Sequence, residues 1–261
     1  MNRAQRHKPR ADIIAAVRNK DTKFCLLRTA ELHGHYCPGS ALGVMASVFG
    51  LNLLSEGDIP SDGLENLMAI VEVNACFADG VQVVSGCTLG NNALVYRDLG
   101  KHAVTFALRD NGKAVRVRVR ADFRSCIDRL APQFYPLLDK VIRNRVGSQA
   151  DRDLFKEQAR EAAFALMNVA FEDILIAKTT HPGLPDYAPI VDSAVCPNCH
   201  EQVMATKVVP EGEHMGLCLV CAGRTYSQVE GSGIVSATDN SSVTKPNAPD
   251  NAKPNGDGVE S

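Results

Sequence analysis

The spacing of apolar and polar residues in the first half of the chain predicts a series of helices and strands. Residues 11–32 are predicted to be helical, and residues 38–54, apolar with many small side chains, predict a buried helix. Residues 67–75 are apolar and β-branched, which predicts a strand. Residues 78–85 then predict a short helix.

A β-hairpin is predicted where two strand-like runs flank Asn111 and Gly112. Asn-Gly favours such a turn because both central residues adopt positive φ. Along the second run valines and arginines alternate, so they face opposite sides of the sheet. The valines are Val115, Val117 and Val119, and the arginines are Arg116, Arg118 and Arg120. Helices packed on a small antiparallel sheet give an α+β fold class.

In the second half, residues 148–178 contain no Gly or Pro and predict one long helix, followed by a Pro-rich extended linker. The last residues are rich in Ser, Asn, Pro, Gly and Asp, which predicts disorder. The predicted organisation is therefore an α+β core, a helix with its linker, a small four-cysteine zinc module and a disordered tail. Their ranges are 1–147, 148–190, 191–226 and 227–261.

Composition excludes several classes of protein. The chain has 28 Lys and Arg against 30 Asp and Glu, so nucleic-acid binding is disfavoured, and the arginine stripe is interpreted as a solvated sheet face. No uninterrupted apolar run approaches the ~20 residues of a membrane span, and the basic N-terminus lacks the apolar segment of a secretory signal. We therefore expect a cytoplasmic protein with no membrane partner. Its nine cysteines are then expected to be reduced thiols.

Four of these cysteines form two Cys-x-x-Cys pairs, Cys196 with Cys199 and Cys218 with Cys221. Two such turns can complete a tetrahedral zinc shell, and metal binding would then supply the folding energy of the module. An iron or iron–sulfur site has the same four-thiolate ligand set and stays open as an alternative. A redox Cys-x-x-Cys motif would normally occur once, so the presence of two such pairs disfavours a redox role for them.

A second concentration of chemistry is the segment His33-Gly-His35-Tyr36-Cys37-Pro38-Gly39. Pro38 suits the first position of a helix, so Cys37 lies at a helix N-terminus, where the macrodipole favours a thiolate. The segment therefore predicts either a metal-ligand set or an activated nucleophile. In the second case Cys37 is the nucleophile and His35 its base.

A further motif extends from Cys76 to Asn91, where Cys76 follows the predicted strand and Cys87 follows the short helix. Because Cys76 ends the predicted strand and Cys87 ends the short helix, both sulfurs are predicted to reach the same cleft as Cys37. The alternative for either thiol is a buried packing residue, an alternative that is weakened by the polar residues that bracket them. The bracketing residues are Asp79, Gln82 and Thr88. By contrast, Cys25 and Cys126 lack such neighbours and are assigned to packing.

These segments resemble the FmdE family, named for the E subunit of formylmethanofuran dehydrogenase. That family has a His-x-His-x-Cys-Pro-Gly block, a Cys-x-x-Asp-x-x-Gln block and a Gly-Cys-Thr-x-Gly block, and all three are present, at residues 33–39, 76–82 and 86–90. A family Lys after the third block is matched by Lys101, whereas His200 stands where a Gly is frequent. The resemblance implies an α+β core, a treble-clef or zinc-ribbon-like module, a homodimer and a metal-holding cleft. The residues implied to line that cleft are His35, Cys37, Cys76, Asp79, Gln82 and Cys87.

The resulting hypothesis is an accessory metal-binding protein of molybdenum- or tungsten-linked, or one-carbon, redox metabolism. The core ligands would be His33, His35, Cys37, Cys76 and Cys87, with Asp79, Gln82, Thr88 and Lys101 lining the cleft; the C-terminal ligands would be Cys196, Cys199, Cys218 and Cys221. Its cofactors are then a structural zinc and a second transition metal, and its partner a molybdenum or tungsten enzyme. The alternative is a thiol-dependent enzyme using Cys37 and His35. A weaker alternative is nucleic-acid or protein binding through the zinc module.

Overall fold

The computed structural model describes residues 8–55 and 65–239. The chain divides into two compact units, the first ending at Ala188 and the second starting at Pro189. The first unit is larger than the predicted core of residues 1–147, because the following helix and linker also belong to it. Each unit is described separately below.

The first unit begins with three helices, α1 (Ala11–Arg18), α2 (Thr22–His33) and α3 (Pro38–Ser55). The predicted helix over residues 11–32 is interrupted at Lys20, whose φ of 56° is left-handed. Asp21 then caps α2 by accepting a hydrogen bond from the Phe24 N–H.

Helix α3 is the central element of the core. It is long and apolar enough to cross a membrane by length and composition, but 72% of it is buried inside the protein. It packs against two strands, Ala103–Leu108 and Ala114–Val119, and against several other helices. Its apolar composition is therefore that of a core helix, as predicted for residues 38–54.

A five-stranded sheet covers one side of α3. Its strand order is β2-β1-β3-β4-β5, and every neighbouring pair is antiparallel except the parallel pair β1 and β2. Helix α4 (Cys76–Ser85) connects β1 to β2. The α+β class is therefore confirmed. The strands are β1 (Leu67–Val71), β2 (Leu94–Tyr96), β3 (Ala103–Leu108), β4 (Ala114–Val119) and β5 (Leu175–Thr179).

The two faces of the hairpin β3–β4 differ as the alternation predicts. A Cβ atom added to Gly50 of α3 would lie 2.8 Å from the Phe106 ring and 2.9 Å from Val117, so this face packs on α3. On the opposite face, Arg116 donates to both carboxylate oxygens of buried Glu72, over 2.6 and 2.7 Å. This ion pair neutralises part of the arginine stripe.

After β4, the first unit contains four helices and a strand. The helices are α5 (Phe123–Leu130), α6 (Phe134–Leu138), α7 (Gln149–Leu166) and α8 (Phe171–Ile174), with a π-helical turn at Asp139–Arg143. Ser148 and Asp151 form a capping box that begins α7.

The prediction of one helix over residues 148–178 is wrong beyond Leu166. Residues 175–179 instead form β5, in which Leu175 pairs with Val119 and Thr179 with Val115. The exposed edge of β4 offers unpaired backbone groups, and the segment Leu-Ile-Ala-Lys-Thr satisfies them. A sheet partner distant in sequence therefore overrides the local helical pattern.

The predicted Pro-rich linker is attached to the first unit, and we call residues 180–188 the strap. Arg97 donates to the Gly183 carbonyl over 3.0 Å, and Arg109 donates to the Pro185 carbonyl over 2.6 Å. The Arg109 guanidinium also lies 4.4 Å from the centre of the Tyr187 ring. Two arginines thus hold the strap by its backbone and one aromatic ring.

The second unit consists of two hairpins and a 3₁₀ turn (Ala205–Lys207). The first hairpin pairs β6 (Ser193–Val195) with β7 (Gln202–Met204), and the second pairs β8 (Tyr226–Glu230) with β9 (Gly233–Ala237). The prediction of disorder from residue 227 is wrong as far as residue 237, because an alternating strand pattern flanks a Gly-Ser turn. Residues 240–261 of that predicted tail lie outside the described residues.

Candidate metal centres

Two glycines bring the helices of the core site into backbone contact. A Cβ atom on Gly80 of α4 would lie 2.6 Å from the Ser40 carbonyl oxygen and 2.7 Å from the Val44 nitrogen, both in α3. A Cβ atom on Gly43 would collide with the Phe77 carbonyl. The crossing lies near the start of both helices, so it sets their N-terminal ends side by side.

The crossing places the sulfurs of Cys37 and Cys76 together. Cys37 immediately precedes α3, Cys76 is the first residue of α4, and a Cβ atom built on Gly39 would lie 3.8 Å from the Cys37 sulfur and 3.7 Å from the Cys76 sulfur. The backbone N–H of Ser40 also donates to the Cys37 sulfur over 3.4 Å. The structure therefore brings together these two predicted site cysteines.

The two thiols have opposite acidities. The hydrogen bond from Cys76, aided by Ser40 and opposed by burial, lowers the pKa of Cys37 to about 4. The same hydrogen bond, together with burial, raises the pKa of Cys76. Cys37 therefore carries the negative charge, whereas Cys76 stays protonated.

His33 joins this sulfur pair to a carboxylate. Its Nε2 lies 3.6 Å from the Cys37 sulfur, and its Nδ1 lies 2.7 Å from Asp79 Oδ2. Gln82 donates to the other Asp79 oxygen over 3.2 Å. Burial lowers the pKa of His33, but the bond to Asp79 and the charge of Cys37 outweigh it, so the pKa is raised. Asp79 and Gln82 thus orient the imidazole, a role that their predicted place in the cleft lining did not specify.

His35 completes a possible ligand set without being the direct partner of the thiol. Its ring centre lies 4.3 Å from that of His33, and its side chain is exposed. Ligand atoms of His33, His35 and Cys37 all lie within 4.8 Å of one another. These residues could hold a metal ion. The predicted pairing of Cys37 with His35 needs correction, since the imidazole bonded to the sulfur belongs to His33, the last residue of α2.

Two other predicted residues, Cys87 and Thr88, lie away from this cluster. Cys87 follows the far end of α4, a helix of 10 residues and therefore about 15 Å long, and its thiol donates to the Leu67 carbonyl. Burial raises its pKa to about 11. The prediction that Cys87 shares the cleft is therefore wrong. Thr88 likewise bonds Asn91 in the next turn, and the Lys101 N–H bonds the Glu72 carbonyl.

Sequence reasoning missed one residue that holds the site from a distance. Arg10 donates to the Val83 and Val84 carbonyls over 2.7 and 2.9 Å, which caps the C-terminal end of α4. It thereby fixes the helix that carries Cys76 and Asp79. No local pattern around Arg10 indicates this contact, because its partners are more than 70 residues away.

The second centre is the four-cysteine group of the second unit, formed by Cys196, Cys199, Cys218 and Cys221, whose sulfurs lie within 4.8 Å of one another. The Cys218 N–H donates to the Cys196 sulfur, and the Cys221 N–H donates to the Cys218 sulfur, both over 3.4 Å. Zinc with Zn–S bonds of about 2.3 Å would set the sulfurs about 3.8 Å apart, so the group fits a metal ion of this size.

The turns around the four-cysteine group explain two departures from expectation. His200 has a φ of 60°, a left-handed conformation that glycine adopts without strain, which accounts for the Gly frequent there in the resembling family. The second cysteine pair leads into the hairpin β8–β9, and no α-helix follows it in the described part of this unit. Within the described residues the second cysteine pair is thus followed by a hairpin, and the four-cysteine group fits a zinc module.

Comparison with known proteins gives a consistent assignment of the first unit. The model of the family described as "FmdE, Molybdenum formylmethanofuran dehydrogenase operon" matches residues 32–176, which include the His33–Asp79 cluster. A crystal structure of a protein from Syntrophus aciditrophicus described as "tungsten formylmethanofuran dehydrogenase subunit e (fmde)-like" superposes with a TM-score of 0.50 and 25% identity. The match covers 77% of this chain and 92% of that one.

A curated relative adds a different name. The "Probable S-adenosyl-L-methionine-binding protein" of Archaeoglobus fulgidus is 41% identical over 211 residues, which are 80% of this chain. They are 55% of that protein, so the chain spans about half the length of the relative. The S-adenosyl-L-methionine in that name is a ligand of the full-length relative.

Proposed function

Because the chain belongs to the FmdE family, and because its core gathers imidazole and thiol groups at one point, we propose that it is a metal-binding protein with two separate centres. The core centre takes a transition metal through His33, His35 and Cys37, with Cys76 beside them. The four-cysteine group takes a structural zinc.

The observation that carries this proposal is the arrangement around His33. Its Nδ1 is bonded to Asp79 at 2.7 Å, which leaves Nε2 directed at the Cys37 sulfur. Metal-binding histidines commonly have a carboxylate on the ring nitrogen that does not bind the metal. A mixed nitrogen and sulfur donor set suits zinc, copper, iron or nickel better than magnesium or calcium.

The role we propose is accessory to a molybdenum- or tungsten-linked enzyme, or to one-carbon redox metabolism, in the cytoplasm. The family description and the name of the Syntrophus aciditrophicus protein support this context. S-adenosylmethionine is set aside as a ligand, since the chain spans 55% of the relative so named. The family resemblance also supports a homodimer.

The proposal is tested by loading reduced, metal-free full-length protein with Co²⁺ and recording thiolate-to-cobalt absorption. We expect roughly two cobalt ions per chain, one in each centre. Cys37→Ser should lose the core ion and keep the ion of the four-cysteine group. Asp79→Asn should weaken binding in the core about 10- to 100-fold, because His33 loses its orienting carboxylate.

The matched control is Cys126→Ser, which alters a partly buried thiol of α5 that was assigned to packing. It should bind cobalt as the unmodified protein does. A protein that binds one cobalt, lost on Cys218→Ser and kept on Cys37→Ser, would contradict the core centre.

A second candidate function is thiol-dependent catalysis, favoured by the order Cys37–His33–Asp79. A thiol whose neighbouring imidazole is held by a carboxylate is the arrangement of an activated cysteine nucleophile. Here His33, rather than the predicted His35, would be the base. Rapid alkylation of Cys37 in metal-free protein, with no cobalt bound in the core, would favour this candidate.

A further inference from the structure

Cys37 and Cys76 form a thiol pair that the metal site alone does not explain. The two sulfurs lie beside the same residue, Gly39, and both cysteines lie at helix N-termini set by the crossing of α3 and α4. Both thiols are partly or wholly shielded from solvent. The helix crossing therefore holds the two thiols next to each other.

Gly39 keeps the space between the two sulfurs open. A Cβ atom built on Gly39 would lie 3.7 Å from the Cys76 sulfur, 3.8 Å from the Cys37 sulfur and 3.0 Å from the Cys76 Cβ. Since glycine has no such atom, the sulfurs can approach each other there. A disulfide needs Cβ atoms within about 3.5–4.5 Å of each other, and the two sulfurs already lie beside one point next to Gly39.

The other cysteines of the first unit lack this arrangement. Cys87 bonds a backbone carbonyl at the far end of α4, and Cys25 is completely buried within the apolar core. Cys126 lies on α5. Cys37 and Cys76 are therefore the pair in this unit that is placed to react with an external disulfide and then with each other.

We propose that Cys37 and Cys76 form a reversible dithiol–disulfide couple that exchanges with small disulfides such as oxidised glutathione. The proposal has a second part, which rests on the proposed function. Because the same Cys37 sulfur would bind the core metal, the disulfide and the metal exclude each other.

The exchange has two steps. The Cys37 sulfur attacks one sulfur of the external disulfide, whose S–S bond breaks and releases one thiolate. The Cys76 sulfur then attacks Cys37, breaks the mixed disulfide and releases the second thiolate. The two protein thiols lose two electrons and two protons, and the external disulfide gains both to become two thiols.

The test treats full-length protein, with zinc in the four-cysteine group and the core metal-free, with oxidised glutathione. Peptide mapping by mass spectrometry then locates the disulfides. We expect a cross-link between the peptides of residues 37 and 76, reversed by dithiothreitol. Cys76→Ser should instead accumulate glutathione on Cys37, and Cys126→Ser should behave as the unmodified protein does.

Metal binding provides the second readout. Occupying the core with Co²⁺ beforehand should slow cross-linking about tenfold or more, and the oxidised protein should bind core cobalt about tenfold or more weakly. Core cobalt binding without any 37–76 cross-link would overturn the redox couple and leave the proposed function intact. A cross-link in a protein whose reduced core binds no cobalt would support the couple and overturn the proposed function.

If the unmodified protein keeps glutathione on Cys37 without forming the cross-link, the proposed dithiol–disulfide couple is also wrong.

Gly39→Ala gives a further check that needs no cysteine change. The added methyl group would crowd the Cys76 Cβ. It should therefore slow closure of the disulfide while the first step, modification of Cys37, proceeds at an unchanged rate.

Discussion

The two cysteine-rich regions use similar ligands but obtain their geometry in opposite ways. In the first unit, the sulfurs of Cys37 and Cys76 are placed by two helices that cross at Gly43 and Gly80 within a large apolar core. In the second unit, Cys196 and Cys199 lie in the turn of the hairpin β6–β7, and Cys218 and Cys221 precede the hairpin β8–β9. The hydrophobic residues buried in its described part are few: Cys196, Val209, Cys218 and Ala222. Half of these are themselves ligand cysteines.

Because of this difference, we expect folding to precede metal binding in the first unit and to depend on metal binding in the second. A core that buries many apolar side chains folds without an ion and presents a preformed site. A unit with little apolar burial needs the ion, because metal binding supplies its folding free energy. Similar donor atoms can therefore mark a binding site in one region and a structural element in the other.

The largest expected effect is that of removing all metal with a strong chelator. The second unit should unfold, because it loses a binding free energy of about 10–16 kcal/mol, whereas the first unit should stay folded. Amide hydrogen exchange measured by mass spectrometry checks this, since protection should vanish between Ser193 and Ala237 and persist in α3. Equal loss of protection in both units would remove the contrast between them.

A smaller effect is expected from crowding the helix crossing. Gly80→Ala puts a methyl group against three backbone atoms of α3. It should destabilise the first unit by about 3 kcal/mol, measured as urea unfolding of the helical circular dichroism signal, and should abolish core cobalt binding. The four-cysteine centre should bind cobalt unchanged.

The matched control for this substitution is Gly183→Ala. Gly183 lies in the strap, and an added Cβ would meet nothing within 4 Å. Its effect on the unfolding free energy should stay within about 0.5 kcal/mol. A Gly80→Ala protein as stable as this control would mean that the crossing does not set the site.

The smallest effect concerns the acidity of Cys37. With its pKa lowered to about 4 by the Cys76 hydrogen bond, Cys37 is a thiolate throughout pH 6–8. Its alkylation by iodoacetamide in core metal-free protein should be nearly independent of pH there. A reference peptide thiol should slow about tenfold for each pH unit below its pKa.

Cys76→Ala sharpens the same measurement. It removes the donor that lowers the pKa of Cys37, so that pKa should rise and alkylation at pH 6 should slow. Equal rates in the two proteins at pH 6 would show that Cys76 does not control the acidity of its neighbour.

Local pattern was enough to predict elements whose periodicity agrees with their final environment. The hairpin at Asn111 and Gly112, the buried helix after Pro38 and the valine and arginine faces of β4 all follow from it. The spacing of the four C-terminal cysteines also predicted that their sulfurs gather at one point. In each case the information lies within a short segment.

Contacts distant in sequence account for the errors. Strand β5 forms because the edge of β4 is unpaired, which residues 175–179 alone do not reveal. Cys87 belongs to the same sequence motif as Cys76, but this does not place it beside Cys37, because helix α4 separates Cys87 from Cys76. The choice of His35 over His33 failed for a geometric reason. Helix α2 ends at His33, and the loop that starts at the left-handed Gly34 brings His33 rather than His35 to the Cys37 sulfur.

The way in which the strap is held has a consequence for sequence drift. Arg97 and Arg109 bind carbonyl oxygens of Gly183 and Pro185, and a carbonyl is present whatever the side chain. Substitutions along the strap would therefore keep these acceptors, whereas replacing either arginine removes the donor. Among related chains, the segment that is fastened should vary more freely than the two residues that fasten it.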